Sequence, residues 1–351
     1  MTPYRHLYLY LTHDCNAACT YCYRKDFVKK LDSKKRYMTR KVADDAIDFV
    51  MGELETLNAF TINLWGGEPF LNFEVLKYLV ETYPQLAFFT NTNGLLIDES
   101  IYNWVKEHKN FTITWSMGNT WERYGSFEKK IEKEYWAYRV VKDMPRHRMN
   151  FSVASRYDKA AEDFKFLYKI NKNVVFNIAY RMDHKDEDLK VLEDQYFKIL
   201  TLDSAQTTVR ASKLWAQEFG PKVEIQADFC RTGVDKLFID IDGGIWGCDG
   251  AYMNQINPLG SIYTGLEKNK LKYFKTLDEH REKLDKYCDG CEIKGYCTEN
   301  KCLNTNYFYT GDYLKPSAYH CKVQKTVYRV YKRYIEWYKE NVRRRNGIKT
   351  K

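Results

Sequence analysis

A chain of 351 residues with 44% hydrophobic and 29% charged residues is long enough for a large core and for two domains, and no apolar run reaches the length of a membrane span. The formal net charge of +9 is moderate. It admits an acidic peptide or protein partner, while no nucleic-acid-binding motif accompanies it. The N-terminus, MTPYRHLYLYLTHDC, lacks the apolar stretch and cleavage site of a secretory signal, so a cytoplasmic location is expected and the ten cysteines are read as metal ligands or redox groups rather than disulfides.

In chain order, LYLYLT (7–12) reads as a strand that runs into a cysteine loop. Residues 39–57 have helical periodicity, with Thr39 as N-cap. FTINLW (60–65) is a second strand, followed by GGEP and the helix FEVLKYLVETY. LAFFTNTNG (86–94) is a third strand ending in a turn at Asn93-Gly94; FTITWSM (111–117), RMNFSVAS (148–155) and NVVFNIAYRM (173–182) are the fourth to sixth. Helical stretches separate them. Six β/α units in series predict an α/β fold, a parallel sheet curling into a partial (β/α)6 TIM-like barrel over residues 1–205, with its chemistry at the C-terminal strand ends. Over 206–351 the pattern changes to a turn at Gly220-Pro221, two short strands in LFIDIDGGIWGC, a cysteine-rich stretch from 288 to 321 and a long helix whose basic end reads as a solvated face and tail.

Two of those strand ends carry motifs. CNAACTYCY places Cys15, Cys19 and Cys22 as C-x3-C-x2-C after the first strand. A structural zinc site wants four ligands and a disulfide framework an even number. Three thiolates on one short loop leave a metal or cluster with a vacant position. GGE, Gly66 to Glu68, follows the second strand.

These residues resemble the radical S-adenosylmethionine (SAM) enzymes. The resemblance implies that Cys15, Cys19 and Cys22 hold three irons of a [4Fe–4S] cluster, the fourth iron taking the amino and carboxylate groups of SAM. An electron from the cluster then splits the sulfonium C–S bond to give a 5′-deoxyadenosyl radical. It further implies that Gly66, Gly67 and Glu68 contact the methionine amino group, that Ser116 lies near the ribose or carboxylate, and that Tyr21 belongs to the cofactor site. Trp65 reads as a core aromatic. Ala17-Ala18 replaces the more usual Leu-Arg of the loop, and Gly118-Asn119 stands where relatives often have Asp-Gly.

The other seven cysteines, Cys230, Cys248, Cys288, Cys291, Cys297, Cys302 and Cys321, follow a pattern similar to the SPASM domain, which carries two auxiliary [4Fe–4S] clusters. Its last two gaps are each one residue longer than usual. By that resemblance Cys288, Cys291, Cys297 and Cys321 complete one cluster. Cys230, Cys248 and Cys302 belong to the other, whose fourth iron is open or takes Glu224 or Asp228. A degraded site or a zinc ribbon built from Cys288 to Cys302 is the alternative. Asp249, directly after Cys248, matches an aspartate that takes a proton from the substrate in the anaerobic sulfatase-maturing group.

The same resemblance implies a peptide or protein substrate and an electron donor such as flavodoxin or ferredoxin. The first strand begins near residue 7, leaving no room for an N-terminal leader-binding domain, so a leader needs a separate adaptor or recognition by the core. The expected activity is hydrogen abstraction from a ribosomally made precursor peptide with formation of a C–C or thioether crosslink. Oxidation of Cys or Ser to formylglycine is the alternative enzyme reading, and a non-catalytic iron–sulfur or zinc protein the alternative of another class.

Overall fold

The computed structural model describes residues 6–30, 36–53, 61–118, 120–179, 182–202, 218–219, 236–255, 258–267, 286–294, 296–297, 303–312 and 314–343. The chain divides into two compact units, one of residues 1–152, 167–181 and 231–277, the other of 153–166, 182–230 and 278–351.

The first unit is built on a sheet. In chain order its elements begin with β1 His6–Thr12, α1 Lys25–Lys30, α2 Arg40–Glu53, β2 Thr61–Gly66, α3 Phe73–Thr82, β3 Ala87–Thr92, α4 Glu99–Glu107 and β4 Phe111–Ser116. They continue through α5 Thr120–Tyr124, α6 Phe127–Lys133, α7 Tyr135–Asp143 and β5 Arg148–Val153 to β6 Val174–Ile178; between these two strands in sequence lies α8 Ala160–Ile170, whose first part, to residue 166, belongs to the second unit. The six strands lie side by side in sequence order, and the pairs from β1–β2 to β4–β5 are parallel. This is the α/β partial-barrel order that the alternating pattern predicts. Thr39 caps α2 as expected, its hydroxyl accepting from Val42 N at 3.3 Å.

β1 is a central strand. Leu7, Leu9 and Leu11 are fully buried, and Tyr10, pointing the other way, is 1% exposed. Burial on both faces is what a strand flanked on both sides requires. The second flank comes from later in the chain: β7 Lys236–Ile239 pairs parallel with β1, Leu7 opposite Leu237 and Leu9 opposite Ile239. β8 Gly244–Trp246 returns antiparallel to β7, then come α10 Asp249–Met253, β9 Gly260–Ser261 and β10 Gly265–Leu266. The sequence pattern reads β7 and β8 as two short strands of the C-terminal part; the structure makes them the continuation of the sheet beyond β1. Their turn is held by Asp240, whose carboxylate accepts from Asp242 N, Gly244 N and Trp246 Nε1 at 2.9–3.0 Å.

In the second unit α9 Asp186–Leu202 packs on α12 Ala318–Tyr338, with α11 Leu303–Thr310 between them in sequence. The contact is an acidic face on a basic one. Lys322 pairs with Asp186 at 2.9 Å, Arg329 Nε donates to Glu193 at 2.7 Å, and Arg333 meets Asp194. Of these cations only Arg333 belongs to the basic end expected to be solvated, and its side chain is 52% exposed while paired. Residues 344–351 of the basic tail lie outside the described residues. Among the described residues no helix is long and apolar enough to cross a membrane.

Behind β4 sits a buried ion pair. Lys130 and Glu134 are 0% and 2% exposed, with Nζ to Oε2 at 2.5 Å. Glu134 also accepts from Trp115 Nε1 at 2.7 Å and Tyr124 Oη at 2.6 Å. Burial holds the Lys130 pKa below its ordinary value, against the pull of Glu134. Removing one partner leaves a buried charge and two orphaned donors, so Glu134→Ala is expected to cost about 3–5 kcal/mol, read by urea unfolding.

Candidate functional site

The cysteine loop is pinned at its base before it reaches its first thiol. Thr12 Oγ1 donates to Arg36 O and accepts from Asp14 N, both at 3.0 Å, and Arg36 Nε donates to Asp14 Oδ1 at 2.8 Å. From β2, Gly67 N donates to Thr12 O at 2.9 Å and Glu68 N to Asp14 O at 2.8 Å. The fit leaves no space for side chains. A Cβ on Gly67 would lie 2.0 Å from Asp14 O, and one on Gly66, whose φ is +151°, would lie 2.6 Å from Thr12 O. The glycines of GGE thus allow close backbone approach to the root of the cysteine loop.

Glu68 carries the tie onward. It is 1% exposed, and its carboxylate accepts from Phe70 N at 3.2 Å, from Thr92 Oγ1 at 2.8 Å and from Asn93 N at 2.8 Å. It caps the short 3-10 turn Pro69–Asn72 and fastens the end of β3 to the end of β2. Burial pushes its pKa up to about 7, against the three hydrogen bonds, which favour the ionised form.

Beyond this base the loop makes tight turns, Cys22 N donating to Cys19 O at 3.2 Å and Lys25 N to Cys22 O at 3.1 Å. Cys15, Cys19 and Cys22 line one cavity of about 560 Å³, together with Tyr21, Gly66, Gly67, Glu68 and Ser116. Every cofactor residue read from the sequence therefore faces the space that the three amino-terminal cysteines face. Burial pushes the Cys15 thiol up to about 11; the Ala17 N–H opposes this, while Glu68 and the two other thiols reinforce it. Three thiols around one space are a donor set whose protons a bound metal displaces. Tyr21 packs over Gly118, where a Cβ would stand 2.5 Å from its hydroxyl. The glycine in SMGN, a departure at the level of sequence, is the space that this tyrosine occupies.

Among the cavity residues not assigned to it from the sequence, four stand out. Trp65, read as a core aromatic, is half-buried on its wall. Asn93 Nδ2 donates to Asn16 Oδ1 at 2.8 Å and lies 3.9 Å from Cys15 Sγ; only the Asn-Gly turn marked it. Tyr23 Oη donates to Asp249 Oδ2 at 2.8 Å. Arg24 is 6% exposed with its guanidinium 4.8 Å from the Tyr10 ring centroid.

Asp249 is not on the cavity wall itself. It opens α10, with Cys248 as N-cap, and its Oδ1 accepts from Gly250 N at 2.9 Å. Of the remaining cysteines, Cys288, Cys291 and Cys297 sit on successive turns, Cys291 N donating to Cys288 O and Cys297 N to Ile293 O, and Cys321 lies in the first turn of α12. Among the described residues no three Cys, His, Asp or Glu side chains converge as they would around a single metal ion. Cys230, Cys302, Glu224 and Asp228 lie outside the described residues.

Residues 5–122 match the model of a 4Fe-4S single cluster domain. Among solved structures, native anSMEcpe with bound AdoMet and Cp18Cys peptide superposes with a TM-score of 0.68 at 20% identity, over 98% of this chain and 99% of that one. SuiB of Streptococcus suis bound to S-adenosylmethionine gives 0.52 at 15% identity, over 77% and 63%. The chain has the radical SAM fold. The resemblance drawn from the cysteine loop holds for the fold and for the amino-terminal iron–sulfur domain. An uncharacterized protein of Methanocaldococcus jannaschii is 32% identical over 109 residues, a segment that is 29% of this chain and 35% of that relative.

The residues fit the group that this fold implies. Three thiols ring one cavity, and its volume lies in the range of small-molecule sites. Glu68 supplies a measurable signature of the site. The folded chain holds its proton up to about pH 7, whereas the unfolded chain releases it near 4.5. Between these values the folded state binds more protons, so the contribution of Glu68 to stability falls as pH rises through that window. Urea unfolding of metal-free protein at both ends of the window is expected to show a larger drop in the parent than in Glu68→Gln.

Proposed function

We propose that the chain is a SAM-dependent enzyme that modifies a side chain of a peptide or protein. The observation that carries this reading is the single cavity shared by Cys15, Cys19, Cys22 and the Gly66–Glu68 segment, whose backbone is hydrogen-bonded to the root of the cysteine loop. Cys15, Cys19 and Cys22 would hold a [4Fe–4S] cluster, with SAM among Tyr21, Gly66, Gly67, Glu68 and Ser116. Bound there, cluster and SAM supply a 5′-deoxyadenosyl radical for hydrogen abstraction. The chain's own part is to fix the loop, keep water out and manage the substrate proton. The assignment of Cys288, Cys291, Cys297 and Cys321 to one auxiliary cluster, and of Cys230, Cys248 and Cys302 to a second, stands as a further proposal on the spacing. An electron donor of flavodoxin or ferredoxin type, a separate leader-binding adaptor and a cytoplasmic setting complete the reading.

A peptide substrate is supported by two neighbours of the same fold, anSMEcpe with a bound Cp18Cys peptide and SuiB bound to the precursor peptide SuiA. The product read from the sequence is a C–C or thioether crosslink. A second product, formylglycine from Cys or Ser, is favoured by the setting of Asp249. Its carboxylate accepts from Tyr23 Oη and Gly250 N, one hydrogen bond from the cavity wall, a placement that suits a general base for a substrate proton.

Anaerobic reconstitution is expected to give a brown protein with about twelve irons if three cubanes form. Cys22→Ala should keep the auxiliary iron and lose all SAM cleavage, read as 5′-deoxyadenosine; retained cleavage contradicts the assignment. Asp249→Asn should lower the yield of modified peptide per 5′-deoxyadenosine by about tenfold or more, within the range of a lost general base. An unchanged ratio removes Asp249 from the chemistry. Mass spectrometry of the product separates crosslink from formylglycine.

A further inference from the structure

Arg24 is buried at the edge of the cysteine cavity with two of its three guanidinium nitrogens unpartnered. It is 6% exposed, lines the cavity with Cys15, Cys19 and Cys22, and has two guanidinium nitrogens, Nε and Nη2, that are buried and donate to nothing. One face of the guanidinium lies over the Tyr10 ring, 4.8 Å from its centroid. A cation–π contact satisfies a face, not the N–H groups in the plane.

Among the described residues no acid nearby is left to serve those N–H groups. Asp249, whose charge Arg24 feels, is committed to Tyr23 Oη and Gly250 N. Asp14 is taken by Arg36. Glu68 has accepted three hydrogen bonds of its own. A buried guanidinium with its donors unmet costs several kcal/mol relative to one in water, and such a group is kept where an anion arrives to meet it. Nε and a terminal nitrogen on one edge form the fork that matches a carboxylate. The cavity lining also includes Lys25 and Lys29, both exposed, which adds positive charge to the cavity that holds the buried fork.

We propose that Arg24 is the substrate-side anion receptor of the cavity, binding a carboxylate of the peptide, an Asp or Glu side chain close to the residue that is modified. The proposal rests on the peptide reading above. Tyr23 and Arg24 then divide the labour of two adjacent positions: Tyr23 orients the protein's own carboxylate, Asp249, and Arg24 holds the substrate's. Cofactor chemistry offers the other source of a carboxylate, the methionine end of SAM, and the experiment separates the two.

The test is a binding measurement that needs no turnover. Reconstituted full-length protein with SAM bound is titrated with acetyl-Gly-Glu-Gly-amide and with its Gln counterpart, followed by saturation-transfer NMR. The Glu peptide should bind about tenfold more tightly or better, the difference expected for a charge-assisted pair away from water. Arg24→Gln should erase the preference, and Arg24→Lys should keep part of it, because the charge remains while the fork is lost. Equal affinities for the two peptides in the parent protein overturn the proposal without any variant. So does a preference that persists in Arg24→Gln, which would assign the carboxylate to Lys25, Lys29 or Arg36. A tenfold loss of SAM affinity in Arg24→Gln would assign the guanidinium to the cofactor and also overturn it. Failure of the parent to release 5′-deoxyadenosine refutes the enzymatic reading and leaves the peptide comparison to decide on Arg24.

Discussion

The site depends on one backbone contact, the approach of Gly67 to Asp14. Two parallel strands that are neighbours in a sheet end side by side, but their following loops ordinarily diverge. Here the loops are hydrogen-bonded as well, Gly67 N to Thr12 O and Glu68 N to Asp14 O, at a separation that no Cβ can enter. The first cysteine is one residue beyond that contact. A shift of the β2 end is therefore a shift of the cysteine loop. Glu68 extends the constraint to a third strand, since its carboxylate takes the Thr92 hydroxyl and the Asn93 amide. Asn93 in turn reaches back to Asn16 on the cysteine loop, closing a ring of contacts through β1, β2 and β3. Adjacent strands in sequence order make this possible without any long-range fold event, because each β/α unit delivers its loop to the same end of the sheet.

What the sequence made legible follows from which signals are local. Strand order from β1 to β6 is written in apolar runs separated by helical ones, and the Thr39 cap is a one-residue signal with a one-turn consequence. The cysteine loop and GGE are short motifs whose spacing needs no tertiary information. β7 has none of these advantages. Four residues, KLFI, announce a strand but not its partner, and their pairing with β1 spans more than two hundred positions. The burial of Tyr10 on the far face of β1 depends on that pairing, as does the cation–π contact that Arg24 makes with it. Tyr23 and Arg24 were invisible for a related reason. Their roles come from groups brought by β1 and α10, and nothing in the stretch CYRKD distinguishes a buried arginine from a solvated one.

Burial does different things to the two signs of charge in this cavity, and the pattern is consistent. It raises the Cys15 thiol and the Glu68 carboxyl, and it lowers Arg24 to about 10 and His13, which also feels Arg36, to about 4. Every one of these groups is held toward its neutral form by the same cause, removal from water. His13 is neutral at ordinary pH, with Nε2 and Tyr252 Oη 3.1 Å apart. On the function proposed above, the compensation of charge is left to what binds: iron would displace the thiol protons, and a carboxylate would meet the guanidinium. The burial is uneven: Glu68, Arg24 and His13 are shut away from water, whereas Cys15, Lys25 and Lys29 on the same wall are exposed. What is built into β1, β2 and the contact of Gly67 with Asp14 is therefore the position of the cysteine loop, and an occupant of the cavity would itself have to cover the exposed thiol.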